Sequence, residues 1–278
     1  MVLLMAALLV AADAVVVTPV ANMYSRPTED TDVVSQAIHG TTVAVLEQKD
    51  GFSKIRTPDD YTGWIAGAAI RSYAAGEKPY ASEAAAQVEQ LFANLYREPD
   101  VTKHQPVITL PYEARLELLS MPAGAERWLQ ARLADGRIAW IQKGDLGFQP
   151  ARAGIPDTID FSKRFLGLPY LWGGTSSFGY DCSGFTQMLC RRRGVNMPRD
   201  AGPQARWDGV APVASKQDLK AGDLLYFGSS EKKITHTGMY IGSGEFIHAS
   251  THERPVVQIG KLDDPYWTKL LVAMRRVK

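Results

Sequence analysis

Cysteine is nearly absent: 278 residues contain only Cys182 and Cys190. A disulfide framework is thereby excluded. Eight positions apart on a predicted helix, the two would stand roughly 12 Å from each other, too far to bridge. An excess of charge is missing too. Lys and Arg number 31 against 30 Asp and Glu, with no basic stripe, so nothing points to nucleic acid. The short run Arg191-Arg192-Arg193 reads as the solvated end of a helix. Long apolar runs are also lacking. The opening stretch MVLLMAALLVAADA, residues 1–14, is too short to span a bilayer, so no membrane span is expected. It has the length of a signal sequence and a small-residue end at Ala12-Asp13-Ala14, but no Lys or Arg precedes it. It reads either as a signal-like segment, placing the chain in the cell envelope or outside, or as a leading packed segment of a cytoplasmic protein.

What is there suits a soluble chain of two or three domains, 45% hydrophobic and 22% charged. The first half repeats itself. Ala21-Asn22-Met23-Tyr24-Ser25-Arg26-Pro27 matches Ala93-Asn94-Leu95-Tyr96-Arg97-Glu98-Pro99, and Gly63-Trp64-Ile65 matches Ala139-Trp140-Ile141. Landmarks recurring in one order argue for two copies of one domain. Short β-rich runs such as Thr42–Leu46 and Ile138–Ile141, broken by Gly, Pro and Asp, fit small all-β barrels. We expect a first barrel over 15–75, then a connector helix at Ser82–Gln90 and a second barrel within 76–149. From 150 to 278 a helical Thr158–Leu166 stretch and a Gly-rich loop precede strands, predicting an α+β domain.

The sharpest signal is YDCSGF at 180–185. Phe185, Met188 and Leu189 recur at helical spacing, and Gly194 stands where a C-terminal glycine belongs. Cys182 therefore begins a helix, where free N–H groups and the macrodipole favour a thiolate and can face an oxyanion. Downstream, His236–Ile241 and Glu245–Ala249 read as strands joined by Gly242-Ser243-Gly244. A turn centred on Gly242 puts His236 directly opposite His248, a base beside a group that orients it. Cys and two His are also a zinc-type donor set, but no fourth-ligand pattern accompanies them. No metal or cofactor is expected. Cys190 reads as core; His39, His104 and His252 have no motif around them.

Five ordered motifs then carry a resemblance: Tyr170-Leu-Trp-Gly-Gly, Asp181-Cys-Ser-Gly-Phe, Ala221-Gly-Asp-Leu-Leu-Tyr-Phe, His236-Thr-Gly-Met-Tyr-Ile-Gly and Phe246-Ile-His-Ala-Ser. Together they resemble the NlpC family of papain-like cell-wall cysteine peptidases, over residues from about 156 to 276. The doubled N-terminal barrel resembles bacterial SH3-like domains. The whole arrangement is similar to the YkfC type, γ-D-glutamyl-L-diamino-acid endopeptidases. The resemblance implies a papain-like domain behind two SH3-like barrels, acting on peptidoglycan stem peptides of the form L-Ala-γ-D-Glu-diamino acid through a Cys182 thioester.

It also implies roles. Cys182 would be the nucleophile, His236 the base, His248 its orienter, and Tyr170 an oxyanion donor. Trp172 would wall the pocket, Asp181 would meet the L-Ala amine, and Ser183 would hold the D-Glu α-carboxylate. In the first barrel, Asp32 and Tyr61 are candidates to close the cleft around that amine. One departure stands out. Ala201 follows Arg199-Asp200 where the family often has Ser, so Gln204 or a backbone amide would have to replace the lost hydroxyl. Two alternatives belong to other classes: a wall-binding protein with an inactive papain-like domain, and an acyl transferase of the same fold.

Overall fold

A computed structural model describes residues 12–148 and 152–278. Residues 1–11 of the opening apolar stretch, and the expected domain boundary at 149/150, lie outside the described residues. Ala12–Val16 is a strand that pairs with Thr42–Lys49 and Ile70–Ser72. The small-residue end Ala12-Asp13-Ala14 is thus built into a sheet, with Ala14 fully buried.

Seven antiparallel strands make the first sheet, in the order Val33–Ile38, Val20–Tyr24, Thr62–Ala66, Phe52–Arg56, Thr42–Lys49, Ala12–Val16, Ile70–Ser72. Alternation sorts its side chains: along Phe52–Arg56, Ser53 and Ile55 are buried while their neighbours are not. Met23, Val43, Ile55 and Ile65 close its core. A second unit has a five-stranded sheet plus the hairpin Phe92–Leu95/Ile108–Pro111, around Val88, Leu95, Leu116 and Ile141. The sequence repeat has a structural counterpart. Tyr24 pairs with Trp64 in the first unit, and Tyr96 bridges Trp140 in the second.

The expected connector helix at Ser82–Gln90 does not form. Ala85–Val88 is instead a strand of the second sheet, paired with Arg115–Leu118. Propensity favoured a helix, but alternate burial of Ala86 and Val88 against the second core outweighs it.

The third unit holds four helices: α1 (Ile155–Lys163), α2 (Cys182–Arg192), α3 (Ala201–Ala205) and α4 (Pro265–Leu270). Helix α1 begins and ends three residues earlier than the expected Thr158–Leu166, Pro156 entering its first turn. A six-stranded antiparallel sheet runs Val210–Pro212, Leu271–Val277, Leu224–Ser230, Lys233–Gly242, Glu245–Ser250, Val256–Lys261. Helix α2 is buried from Cys182 to Cys190 because both sides are covered. Its Phe185, Met188 and Leu189 share one core with Tyr226, Met239 and Ile247 of the sheet. Tyr112 of the second unit enters the same core, 5.0 Å from Phe161 between ring centroids.

Ion pairs fasten the helix end. Arg191 donates twice to Glu113 (2.8 and 2.7 Å), and Arg192 donates to Glu89 at 2.9 Å. The arginine run does end a helix, but two of its members are tied to the second unit rather than solvated. No helix among the described residues is long and apolar enough to cross a membrane.

Candidate active site

Cys182 is the first residue of α2, and local chemistry explains YDCSG. Asp181 is the N-cap, its Oδ1 accepting the Gly184 N–H at 2.7 Å. Gly184 is required because a Cβ there would collide with the Gly174 carbonyl oxygen. Cys182 is 8% exposed. The Thr237 and Ser183 backbone N–H groups favour its thiolate, yet burial outweighs them and pushes the thiol up to about 12, Asp181's charge adding to the effect. The helix N-terminus that the sequence predicts is present, and desolvation opposes it.

Thr237 follows His236, so the thiol lies beside the strand that carries His236. His236 Nε2 and His248 Nδ1 meet at 2.7 Å, as the strand reading anticipates. The register differs from expectation. Ser243 and Gly244 both have positive φ (53° and 79°), the signature of a two-residue hairpin turn, and a bulge follows between Tyr240 and Gly242. Pairs Met239–Ile247 and Tyr240–Phe246, carried along the strands, set His248 opposite Gly238. The imidazoles share a face and meet on the diagonal rather than directly across. Their facing nitrogens form a hydrogen bond.

Aromatic rings bury the pair. Trp267 of α4 stacks on His236 (5.0 Å, 29°) and stands edge-on to His248 (4.9 Å). Burial lowers His236 to about 3 and His248 well below its usual value, with His252 contributing to both. Burial thus works against the charged form of both the thiol and the imidazole. His252, which carried no sequence signal, stacks on Tyr266 at 3.8 Å and 4°.

Tyr170 is half-buried. Burial first, then the neighbouring Cys182 and Asp181, raises its phenol. Trp172 is 69% exposed, a surface aromatic rather than a core one. The adjoining Gly173 has φ +74°, and a Cβ there would strike Val33 of the first sheet.

Two expected binding residues are committed elsewhere. Asp181 does not present an open carboxylate. Arg199, 2% exposed, donates to Asp181 Oδ2 at 2.6 Å and to Oδ1 at 3.0 Å. With the Gly184 bond, these donors engage both carboxylate oxygens. Ser183 Oγ accepts from Arg199 Nη1 at 2.8 Å and donates to Asp181 Oδ1 at 3.3 Å. Arg199 also donates to Ser35 Oγ of the first unit at 3.2 Å. Gln204 cannot replace the hydroxyl missing at Ala201. Its Nε2 is spent on the carbonyls of Ser183, Pro198 and Arg199.

The first unit approaches the site through Tyr61, whose hydroxyl donates to Asp200 Oδ2 at 3.3 Å. Burial and then the Asp200 charge push Tyr61 up to about 12. Asp200 stands in the Arg199-Asp200-Ala201 stretch, but the sequence reading gave it no role. Its signal was adjacency to Arg199, but its partner lies 139 residues away in the chain. Asp32 is exposed, and its side chain makes no hydrogen bond among the described residues; its neighbour Val33 is the one touching Gly173.

Known proteins resemble this chain in both sequence and fold. The NlpC/P60 family matches residues 167–276, and the bacterial dipeptidyl-peptidase Sh3 domain matches residues 23–70. A gamma-D-glutamyl-L-lysine dipeptidyl-peptidase of Bacillus cereus is 36% identical over 87% of this chain and 74% of its own length. The Bacillus subtilis protein of that name is 31% identical, over 89% of this chain and 82% of its own. A crystal structure of a Bacillus cereus NlpC/P60 protein superposes with a TM-score of 0.82 at 28% identity, covering 96% of this chain and 99% of that one.

Proposed function

This chain belongs to the NlpC/P60 family, and we propose that it is a cysteine peptidase cutting the γ-D-glutamyl–diamino acid bond of peptidoglycan peptides that begin with a free L-Ala. The observation that carries the reading is the His236–His248 hydrogen bond beside a cysteine at a helix N-terminus. It occurs in a chain whose named relatives match it across the barrel region as well as the peptidase domain. We read the second unit as a second SH3-like barrel, on the repeated Tyr–Trp pairing.

Attack by Cys182 is coupled to transfer of its proton to His236. Cys182 Sγ adds to the γ-carbonyl carbon of D-Glu as its proton passes to His236. The Cys182 backbone N–H and the Tyr170 hydroxyl donate to the oxyanion. His236 returns the proton to the departing amine of the diamino acid, leaving a thioester on Cys182. Water, deprotonated by His236, then hydrolyses the thioester and releases L-Ala-D-Glu. His248 orients the imidazole throughout.

For the substrate's amine, Asp200 with Tyr61 replaces Asp181 as the anchor. A carboxylate at the surface beside a phenol can take an ammonium, whereas one locked to a buried guanidinium cannot. Trp172 walls the cleft and Asp32 stands at its rim. Ser183 acts on the D-Glu subsite through Arg199.

The test is incubation with L-Ala-γ-D-Glu-meso-diaminopimelate and its N-acetylated form, followed by mass spectrometry. The expected result is L-Ala-D-Glu from the free peptide and none from the acetylated one. Cleavage of both would remove the amine anchor from the proposal, and cleavage of neither would remove the peptidase reading.

A further inference from the structure

The far edge of His248 opens on a cavity behind the imidazole pair, and the importance of that cavity rests on reading His236 as the base. His236 Nε2 is engaged with His248 Nδ1, so only Nδ1 of His236 remains to take a proton from the thiol. For that atom to be bare, Nε2 must carry the ring hydrogen and donate it to His248 Nδ1. A neutral His248 that accepts at Nδ1 carries its own hydrogen at Nε2. The competence of the base is therefore set one residue further back, by whatever accepts from His248 Nε2.

His248 is 1% exposed, and its Nε2 makes no hydrogen bond to any described protein atom. It borders a cavity of about 420 Å³. Gly260 keeps that space open: a Cβ there would lie 3.1 Å from His248 Nε2 and 2.7 Å from the Phe246 ring. The cavity's charged groups come from three segments: His252 and Glu253 of the preceding loop, Lys261 at the strand end, and Asp263 and Asp264 leading into α4. Asp264 is already committed, accepting the Tyr266 N–H as a helix cap.

One neutral acceptor is fixed in place. Gln258 is the cross-strand partner of His248 and shares its face. It is 8% exposed and lines the same cavity. Its Nε2 donates to the carbonyls of His252 (2.8 Å) and Arg254 (3.1 Å). Those two bonds lock the amide and turn Oε1 away from the loop, and Oε1 accepts from no described protein atom.

We propose that Gln258 is a positioning residue: its Oε1, through water in the cavity, accepts the Nε2–H of His248 and holds the tautomer that keeps His236 Nδ1 basic. The cavity has ample room, since one water occupies about 30 Å³. Removing the acceptor frees His248 to move its hydrogen to Nδ1. Two donors or two acceptors would then face each other, and His236 would have to turn its own proton toward the thiol.

The test is 15N NMR of histidine-labelled full-length protein, reading the His248 tautomer without substrate, alongside kinetics. The expected result is a hydrogen on Nε2 in the unmodified protein. Gln258→Leu should shift it toward Nδ1 and lower kcat about tenfold, the worth of one ordinary hydrogen bond, with KM little changed. Gln258→Glu keeps an acceptor, so it should retain the tautomer and move the acid limb of the kcat profile to higher pH, because a carboxylate favours a protonated imidazole pair. Should Gln258→Leu fail to fold, the unmodified protein and Gln258→Glu decide the matter. Hydrogen on Nδ1 in the unmodified protein, or a Gln258→Leu variant with unchanged tautomer and kcat, overturns the proposal. Absence of turnover with the Nε2 tautomer in place would defeat the peptidase reading and leave this placement standing.

Discussion

Arg199 reaches Asp181 through two hydrogen bonds, at 2.6 and 3.0 Å, from a position 2% exposed. The guanidinium also spans to Ser183 and to Ser35 of the first unit. One buried cation thus holds the cap of the nucleophile's helix and the barrel against each other. Breaking such a pair from one side leaves a buried charge without a partner, which costs about 3–5 kcal/mol. Arg199→Met is expected to lower stability to chemical denaturation by that order. A change below about 1 kcal/mol would mean that the pair is not what secures the helix start.

The resting Cys182–His236 pair is predicted to be uncharged. Burial raises the thiol to about 12 and lowers His236 to about 3, so the thiolate population is small at neutral pH and grows with pH. Alkylation of Cys182 by iodoacetamide should therefore be slow near pH 7 and accelerate about tenfold per pH unit toward pH 9. A rate independent of pH over that range would reveal a preformed thiolate–imidazolium pair. Cys182→Ala should abolish turnover and leave the thermal midpoint within a few degrees.

His39 joins the first two units. Its Nδ1 lies 3.0 Å from the Val17 carbonyl, to which it donates, and its Nε2 accepts the Ala134 N–H at 3.3 Å. Burial lowers it to about 4 from 6.5. With the folded value depressed, the unfolded chain binds the proton first. Stability is full above about pH 6.5 and is lost as pH falls toward 4, by roughly 3 kcal/mol at most from this residue. Denaturation at pH 7 and at pH 4.5 should show the loss, and His39→Gln should reduce it. An equal loss in the variant would assign the acid sensitivity to His236 and His248 instead.

Tyr61→Phe and Asp200→Asn act on the substrate's free amine. Removing the neutral hydroxyl is expected to raise KM for the free peptide several-fold, and neutralising the carboxylate by about ten- to a hundredfold, the worth of a hydrogen bond to a charge. Neither variant should move the thermal midpoint by more than a few degrees. A large drop in the midpoint accompanying the loss of activity would show that the two residues support the fold and do not read the amine.

Cys182, His236 and His248 were legible because each sits in a run whose local pattern states its element: helix spacing after the cysteine, strands around a Gly-Ser-Gly turn. The tandem repeat was legible for the same reason. The strand at Ala85–Val88 was not, because Ala, Glu and Gln favour helix locally and only the second core reverses that preference. That Asp181 is open to the substrate's amine was implied by the family resemblance alone. Its partner Arg199 lies 18 residues on, and a carboxylate's availability depends on what fills the space around it.

Taken by itself, the order of residues determined the helix start at Cys182, the shared face of the two imidazoles and the doubled N-terminal region. These depend on spacing and turn chemistry within a dozen or so residues. Tertiary structure decided the rest: the diagonal meeting of the histidines through a bulge, the enclosure of Asp181 by Arg199, the pairing of Tyr61 with Asp200, and the desolvation of the thiol. Each of these turns on burial or on a contact between distant segments. Desolvation and long-range pairing are properties of a packed volume, and they arise only when the chain closes on itself.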